Sequence, residues 1–138
     1  MTDPQLVISK MPSKSLARLA ALLQKVEIRV KREPETGLIM MSVRDAFATE
    51  FYLGEILVTC AETEYQGVRG FAMIVGEEPE RALLAAAVDA VLHSSQRDLK
   101  HRLSRFLAKQ AAALARQEED ERRLLAASRV NFETMVKR

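Results

Sequence analysis

Between Arg97 and Ala127 the chain runs without a single glycine or proline. A helix over that span would be roughly 46 Å long. A compact body of 138 residues has a diameter of only about 37 Å. The spacing therefore predicts a helix over 97–127 that projects in part beyond its own body, anchored at its start by Leu99, Leu103, Phe106 and Leu107 and at its end by Leu124 and Leu125. Gln110, Gln117 and the Glu118–Glu121 run interrupt the apolar stripe between them, and the alternative is two helices that fold back on each other.

The rest of the chain alternates helix and strand signals. After Pro12, Ser13 or Ser15 can cap a helix with the stripe Leu16, Leu19, Ala20, Leu22 and Leu23. Val26, Ile28 and Val30 alternate with charged residues, the period of a half-buried strand. Glu33-Pro34-Glu35-Thr36-Gly37 has turn composition. Strands are then expected over Leu38–Arg44, Phe51–Tyr65 and Val68–Val75, with a bulge at Gly54 and a hairpin turn at Gly67. Glu77-Glu78-Pro79-Glu80 opens a helix that runs to about Ser94. The expected fold class is α+β: an antiparallel four-stranded meander with an N-terminal helix and two C-terminal helices, the last one long. Residues 1–138 are expected to form one domain, with 128–138 as a C-terminal tail.

Several strands are apolar on both faces: Leu38 to Val43, Ile56 to Val58, and Phe71 to Val75. Such strands need cover above and below. The helices near them in sequence can cover one face; the other asks for something outside the chain.

Charge is uneven although the net is only +2. Residues 1–34 carry seven Lys/Arg against three Asp/Glu, residues 35–80 two against nine, and residues 97–116 six against one. This pattern suits steered docking between proteins more than binding to a polyanion, and composition alone equally allows ordinary solvated faces that neutralise one another. No interleaved aromatic and basic stripe supports a nucleic-acid surface. Gly67-Val68-Arg69-Gly70 has the spacing of the KH loop, but it leads into a strand rather than joining helices, which makes it a hairpin turn.

Chemistry is sparse. No Gly-rich phosphate loop is present, and His93 and His101 stand eight residues apart, far from metal-ligand spacing. The only cysteine, Cys60, ends an apolar run and reads as a small core residue. His93 follows Asp89 by one turn, on the Ala82, Ala85, Ala86 and Ala90 side of its helix, a pairing capable of acid–base work but more often a surface contact or the cap of a close helix–helix approach. Glu35, Arg44, Glu55 and Arg81 fall beside expected turns, bulges or helix starts. The segment 1–5 lacks a secretory pattern and no apolar run is long enough for a bilayer, so the expected location is the cytoplasm, away from the membrane.

One ordered series of short motifs adds to this reading. It comprises Glu35-Thr36-Gly37-Leu38, Leu53-Gly54-Glu55, Leu57-Val58-Thr59, Gly70-Phe71, Val75-Gly76, Arg81-Ala82, Asp89-Ala90, Ser128-Arg129-Val130-Asn131-Phe132 and Thr134-Met135-Val136. In order and interval it resembles the G-subunit family of the carbon–phosphorus lyase system (PhnG family), over about residues 30–138. Asp45-Ala46-Phe47-Ala48-Thr49 departs from the glycine-richer loop of that pattern.

The resemblance implies an accessory, structural or regulatory subunit of a cytoplasmic complex with H, I and J subunits, two copies of each, binding chiefly to I. It implies support for the transfer of an alkylphosphonate to C1 of the ATP ribose with release of adenine. No cofactor is expected on this chain; ATP serves the complex, and an iron–sulfur cluster with S-adenosylmethionine sits on another subunit. No catalytic residue is expected either. The alternative is a direct contribution of phosphate-binding arginines, Arg44, Arg81 or Arg129, to a shared active site.

Overall fold

The computed structural model describes residues 3–129. The tail motifs from Val130 onward lie outside the described residues. Four helices and three strands follow in the order α1 (Pro4–Lys10), α2 (Ser13–Leu23), β1 (Arg29–Arg44), β2 (Glu50–Tyr65), β3 (Val68–Val75), α3 (Pro79–Leu92) and α4 (Arg97–Ala127). The sheet is antiparallel in the order β1-β2-β3. The α+β class holds, but with three strands instead of four and with an additional first helix.

The missing strand break is at Glu33–Gly37. This segment has turn composition yet continues β1 as a single 16-residue strand. Register shifts between Val30 and Arg32, and between Arg32 and Glu35, absorb the irregularity. Pro34 is tolerated because β1 is an edge strand, where a missing N–H costs no ladder bond. The hairpin turn is as expected: Gln66 and Gly67 both take positive φ, 48° and 79°, the pattern of a two-residue turn that matches strand twist.

The core forms between one face of β2 and β3 and the alanine-rich side of α3. Thr59, Ala61, Thr63 and Tyr65 alternate inward from β2, and Gly70, Ala72 and Ile74 do so from β3. They meet Ala82, Ala85, Ala86 and Ala90. A Cβ at Gly70 would strike the carbonyl of Ala86 and the backbone of Ala90, so glycine is what lets helix and strand approach so closely. Leu16, Leu19 and Leu23 of α2 and Leu103 and Leu107 of α4 close this core. Helix α2 begins at Ser13 after Pro12, with no side-chain capping bond from either serine.

Helix α4 is continuous over its 31 residues. Its first half packs on the core; from Ala115 onward every described residue is exposed. Leu124 and Leu125, expected to anchor the end, are 71% and 70% exposed. No helix among the described residues is long and apolar enough to cross a membrane.

Candidate functional site

Strand β3 ends at Val75, opposite Val58. Strands β1 and β2 do not end there. Gly37–Arg44 and Glu50–Leu57 continue as a two-stranded ribbon for about 27 Å beyond the three-stranded body. Successive residues point to opposite faces, and here both faces are apolar. Gly37, Ile39, Met41 and Ile56 share one face; Leu38, Met40 and Leu57 share the other. Leu38 and Met40 are each 62% exposed and Tyr52 is 72% exposed. Apolar surface of this extent, on both sides of one element, is far more than scattered single exposed residues and makes the ribbon the candidate interaction surface.

Local chemistry shapes the ribbon. Gly54, at φ 137°, lies opposite Met41, while Tyr52 lies opposite Ser42, so Leu53 is the extra residue of a β-bulge. At the tip, the Asp45 Oδ1 accepts hydrogen bonds from the backbone N–H groups of Phe47 and Thr49, each at 2.9 Å. This carboxylate organises the five-residue loop without glycine, and Ala48 takes the positive φ of 60°. Phe47 is thereby presented at the apex, 89% exposed. Its signal in the sequence is a lone aromatic between two alanines in a short loop. Phe47, Tyr52 and Leu53 are the surface residues that sequence reasoning passed over.

The candidate site residues do not converge. Glu35 pairs with Cys60 and Glu55 with Met40, on opposite faces and about 17 Å apart along β1. Arg44 pairs with Glu50 at the ribbon's far end. Arg129 follows the end of α4, exposed. Cys60 is only half-buried and lies on the uncovered sheet face beside Met73, not in the core.

Arg81 has a structural task. Its Nη1 donates to the carbonyls of Ile8 and Met11 at 2.8 and 2.7 Å, capping the carbonyl end of α1. Its Nε also lies 3.5 Å from Glu78. Asp89 is similarly engaged: Oδ2 accepts from the backbone N–H of Phe71 at 2.9 Å, and Oδ1 lies 3.3 Å from His93 Nδ1. The expected Asp89–His93 pair therefore exists, with His93 at the C-terminal end of α3 and its side chain largely exposed. Asp89 secures the outer edge of β3, and Gln5 completes that task. The Gln5 amide donates to the carbonyl of Phe71 and accepts from the N–H of Met73.

Two further surfaces merit description. A groove of about 590 Å³ between α2, α3 and the start of β1 is lined by Leu23, Val26, Ile28, Val30 and Leu84, with Thr63 at its floor. On α4, His101, Arg102, Arg105 and Lys109 surround Leu22 and Phe106. Among the described residues no group of three His, Cys, Asp or Glu side chains is placed to hold a metal ion.

Among curated proteins, no significant match to the chain is found. A family model described as phosphonate metabolism protein PhnG matches residues 5–138, nearly the whole chain. The chain belongs to the PhnG family and has its role in phosphonate metabolism.

Proposed function

We propose that the chain is an accessory subunit of the carbon–phosphorus lyase complex, structural or regulatory, and that it docks chiefly on the I subunit alongside H and J, two copies of each. In this reading it supports transfer of an alkylphosphonate to C1 of the ATP ribose with release of adenine. The catalytic groups and the iron–sulfur and S-adenosylmethionine chemistry belong to other subunits. The observation that carries the proposal is the ribbon of residues 37–57, apolar and exposed on both faces. An isolated two-stranded ribbon is marginal in water, and a partner that encloses it recovers the burial it lacks.

Co-production with the I subunit tests this. The pair should co-purify, and the chain alone should self-associate or precipitate. A monodisperse, monomeric chain by light scattering that fails to capture the I subunit would overturn the proposal.

The alternative, phosphate binding by arginines of this chain, is weakened at Arg81, whose guanidinium is already spent on two backbone carbonyls. Arg44 and Arg129 are the positions left to test. Arg44→Ala in the reconstituted complex should leave adenine release unchanged if the accessory reading is right.

A further inference from the structure

The sheet protects its backbone edges unequally. At the centre of strand β3 the outward N–H and C=O of Phe71 and the N–H of Met73 are satisfied by Gln5 and Asp89. The first half of β1 carries Pro34 and two register shifts, devices that keep other strands from adding to an edge. From Glu35 to Met41 the register with β2 runs without a shift, and β1 contains no proline there. Among the described residues nothing blunts that part of the edge.

The direction of its hydrogen-bonding groups follows from alternation along each strand. Phe71 and Met73 turn their backbone groups away from β2, toward Gln5 and Asp89. Gly70, Ala72 and Ile74 therefore bond to β2, through Thr63, Ala61 and Thr59. The carbonyl of Leu57 also points that way and accepts from Gly76 N–H. Ile56, Val58 and Cys60 then turn toward β1, where their partners are Ile39, Gly37 and Glu35. Thr36, Leu38 and Met40 are left with N–H and C=O directed outward from the sheet.

We infer that this edge accepts an additional strand: an extended segment of a partner protein that pairs with Thr36, Leu38 and Met40 and carries basic side chains among its apolar ones. A third strand is what a two-stranded ribbon lacks for stability, and strand addition supplies it through main-chain bonds. Charge selects the partner. Residues 35–57 hold Glu35, Asp45, Glu50 and Glu55 against Arg44 alone. A second copy of this chain would set two acidic ribbons side by side, which like charge disfavours; a Lys- or Arg-bearing strand is attracted. The inference rests on the subunit assignment proposed above, since the partner is sought in that complex.

Amide exchange of the chain, alone and in the co-purified complex with the I subunit, tests it at single-residue spacing. In the free chain Gly37, Ile39 and Met41 should be protected while Thr36, Leu38 and Met40 exchange quickly. In the complex the second set should become protected as well. The double variant Leu38→Pro/Met40→Pro removes two outward donors without touching the β1–β2 ladder, and edge positions tolerate proline. Its circular dichroism should match the parent, while binding weakens about tenfold or more, the loss expected for two backbone hydrogen bonds. A complex whose Thr36, Leu38 and Met40 amides stay unprotected overturns the inference and leaves the subunit assignment standing. Undiminished binding by a folded double variant does the same. Concentration-dependent protection of those amides in the free chain would identify a second copy as the occupant and overturn the basic partner. Absence of any complex removes the subunit assignment and this inference together.

Discussion

The two halves of β2 share one strand and differ in everything that burial provides. In Val58–Tyr65 the strand lies between β1 and β3, and Thr59, Ala61, Thr63 and Tyr65 are buried beneath α3. In Glu50–Leu57 it has β1 on one side only, and no residue there is buried. The ribbon half nevertheless holds most of the larger apolar side chains, including Phe51, Tyr52, Leu53 and Ile56, while the covered face of the body half is, apart from Tyr65, filled by the small Thr59, Ala61 and Thr63. Large side chains without cover and small side chains under a close helix are different solutions to packing. One face of the body is covered by its own helix; among the described residues the ribbon has cover from the chain on neither face.

The sharpest way to break this comparison is to shorten a leucine in each region. Leu103 is fully buried against the core, and Leu103→Ala should cost about 3 kcal/mol in a urea titration, the sum of lost transfer energy and a residual cavity. Leu38→Ala in the ribbon should change stability by no more than about 0.5 kcal/mol, because its side chain already meets solvent. Equal losses at the two positions would show that the ribbon is packed in the free chain and would remove the contrast.

The glycines give a second pair of the same kind. Gly70→Ala forces a methyl group into the Ala86 carbonyl and the Ala90 backbone, so α3 must shift; a loss of about 2 kcal/mol is expected. Gly37→Ala meets nothing within 4 Å and should be neutral or slightly stabilising, by up to about 0.5 kcal/mol, since alanine restricts the unfolded chain. Thermal melts of the two variants side by side report whether close helix–strand approach is confined to the body.

Much of the body was legible because burial there follows periodicity. The stripe of α2, the alternation in β2 and β3, Pro79 at the head of α3 and the uninterrupted run of α4 each satisfy one local rule, and tertiary structure agrees with it. Glu33–Gly37 misled because Pro and Gly signal a turn locally, whereas an edge strand can absorb both through register shifts. Helix α1 has only seven residues, too few to show a period. What holds it in place is nonlocal: the Arg81 guanidinium at its carbonyl end and the bonds of Gln5 to β3. The interaction surface was half legible. Two-faced apolar runs showed that cover was missing, but only the pairing of Gly37–Arg44 with Glu50–Leu57 beyond the end of β3 gathers two of them, Leu38–Val43 and Ile56–Leu57, on one ribbon, while Phe71–Val75 stays in the body.

Thr63 offers a smaller and opposite effect. Its Oγ1 is buried without a hydrogen-bond partner among the described residues, on the covered face of the body half of β2. Thr63→Val keeps the shape and removes the orphan hydroxyl, which should raise stability by about 1 kcal/mol. Thr59 is its control. Its hydroxyl donates to the Gly76 carbonyl at 2.6 Å and accepts from Glu78 N–H at 3.0 Å, closing the turn into α3. Thr59→Val should therefore destabilise by about 1 to 2 kcal/mol, leaving two backbone groups unsatisfied. The same substitution two turns of the pleat apart would change sign, a test of whether the covered face is as dry as its geometry implies.

The smallest effect on stability belongs to the ribbon's apex, and it is the one most closely tied to function. Phe47 touches solvent over nearly its whole surface, while the loop beneath it is held by Asp45 through bonds to backbone N–H groups that do not involve the phenyl ring. Phe47→Ser should leave the unfolding midpoint unchanged within about 0.5 kcal/mol. Self-association of the isolated chain, followed by light scattering against concentration, should nonetheless decline, because the largest exposed ring at the end of the apolar ribbon is gone. In the complex with a partner the same variant should dissociate faster, as truncation of a buried aromatic anchor does. A change in folding stability without a change in association would place Phe47 with the body rather than the ribbon, and would show that the apex is ordered for the chain's own packing and not for contact with another protein.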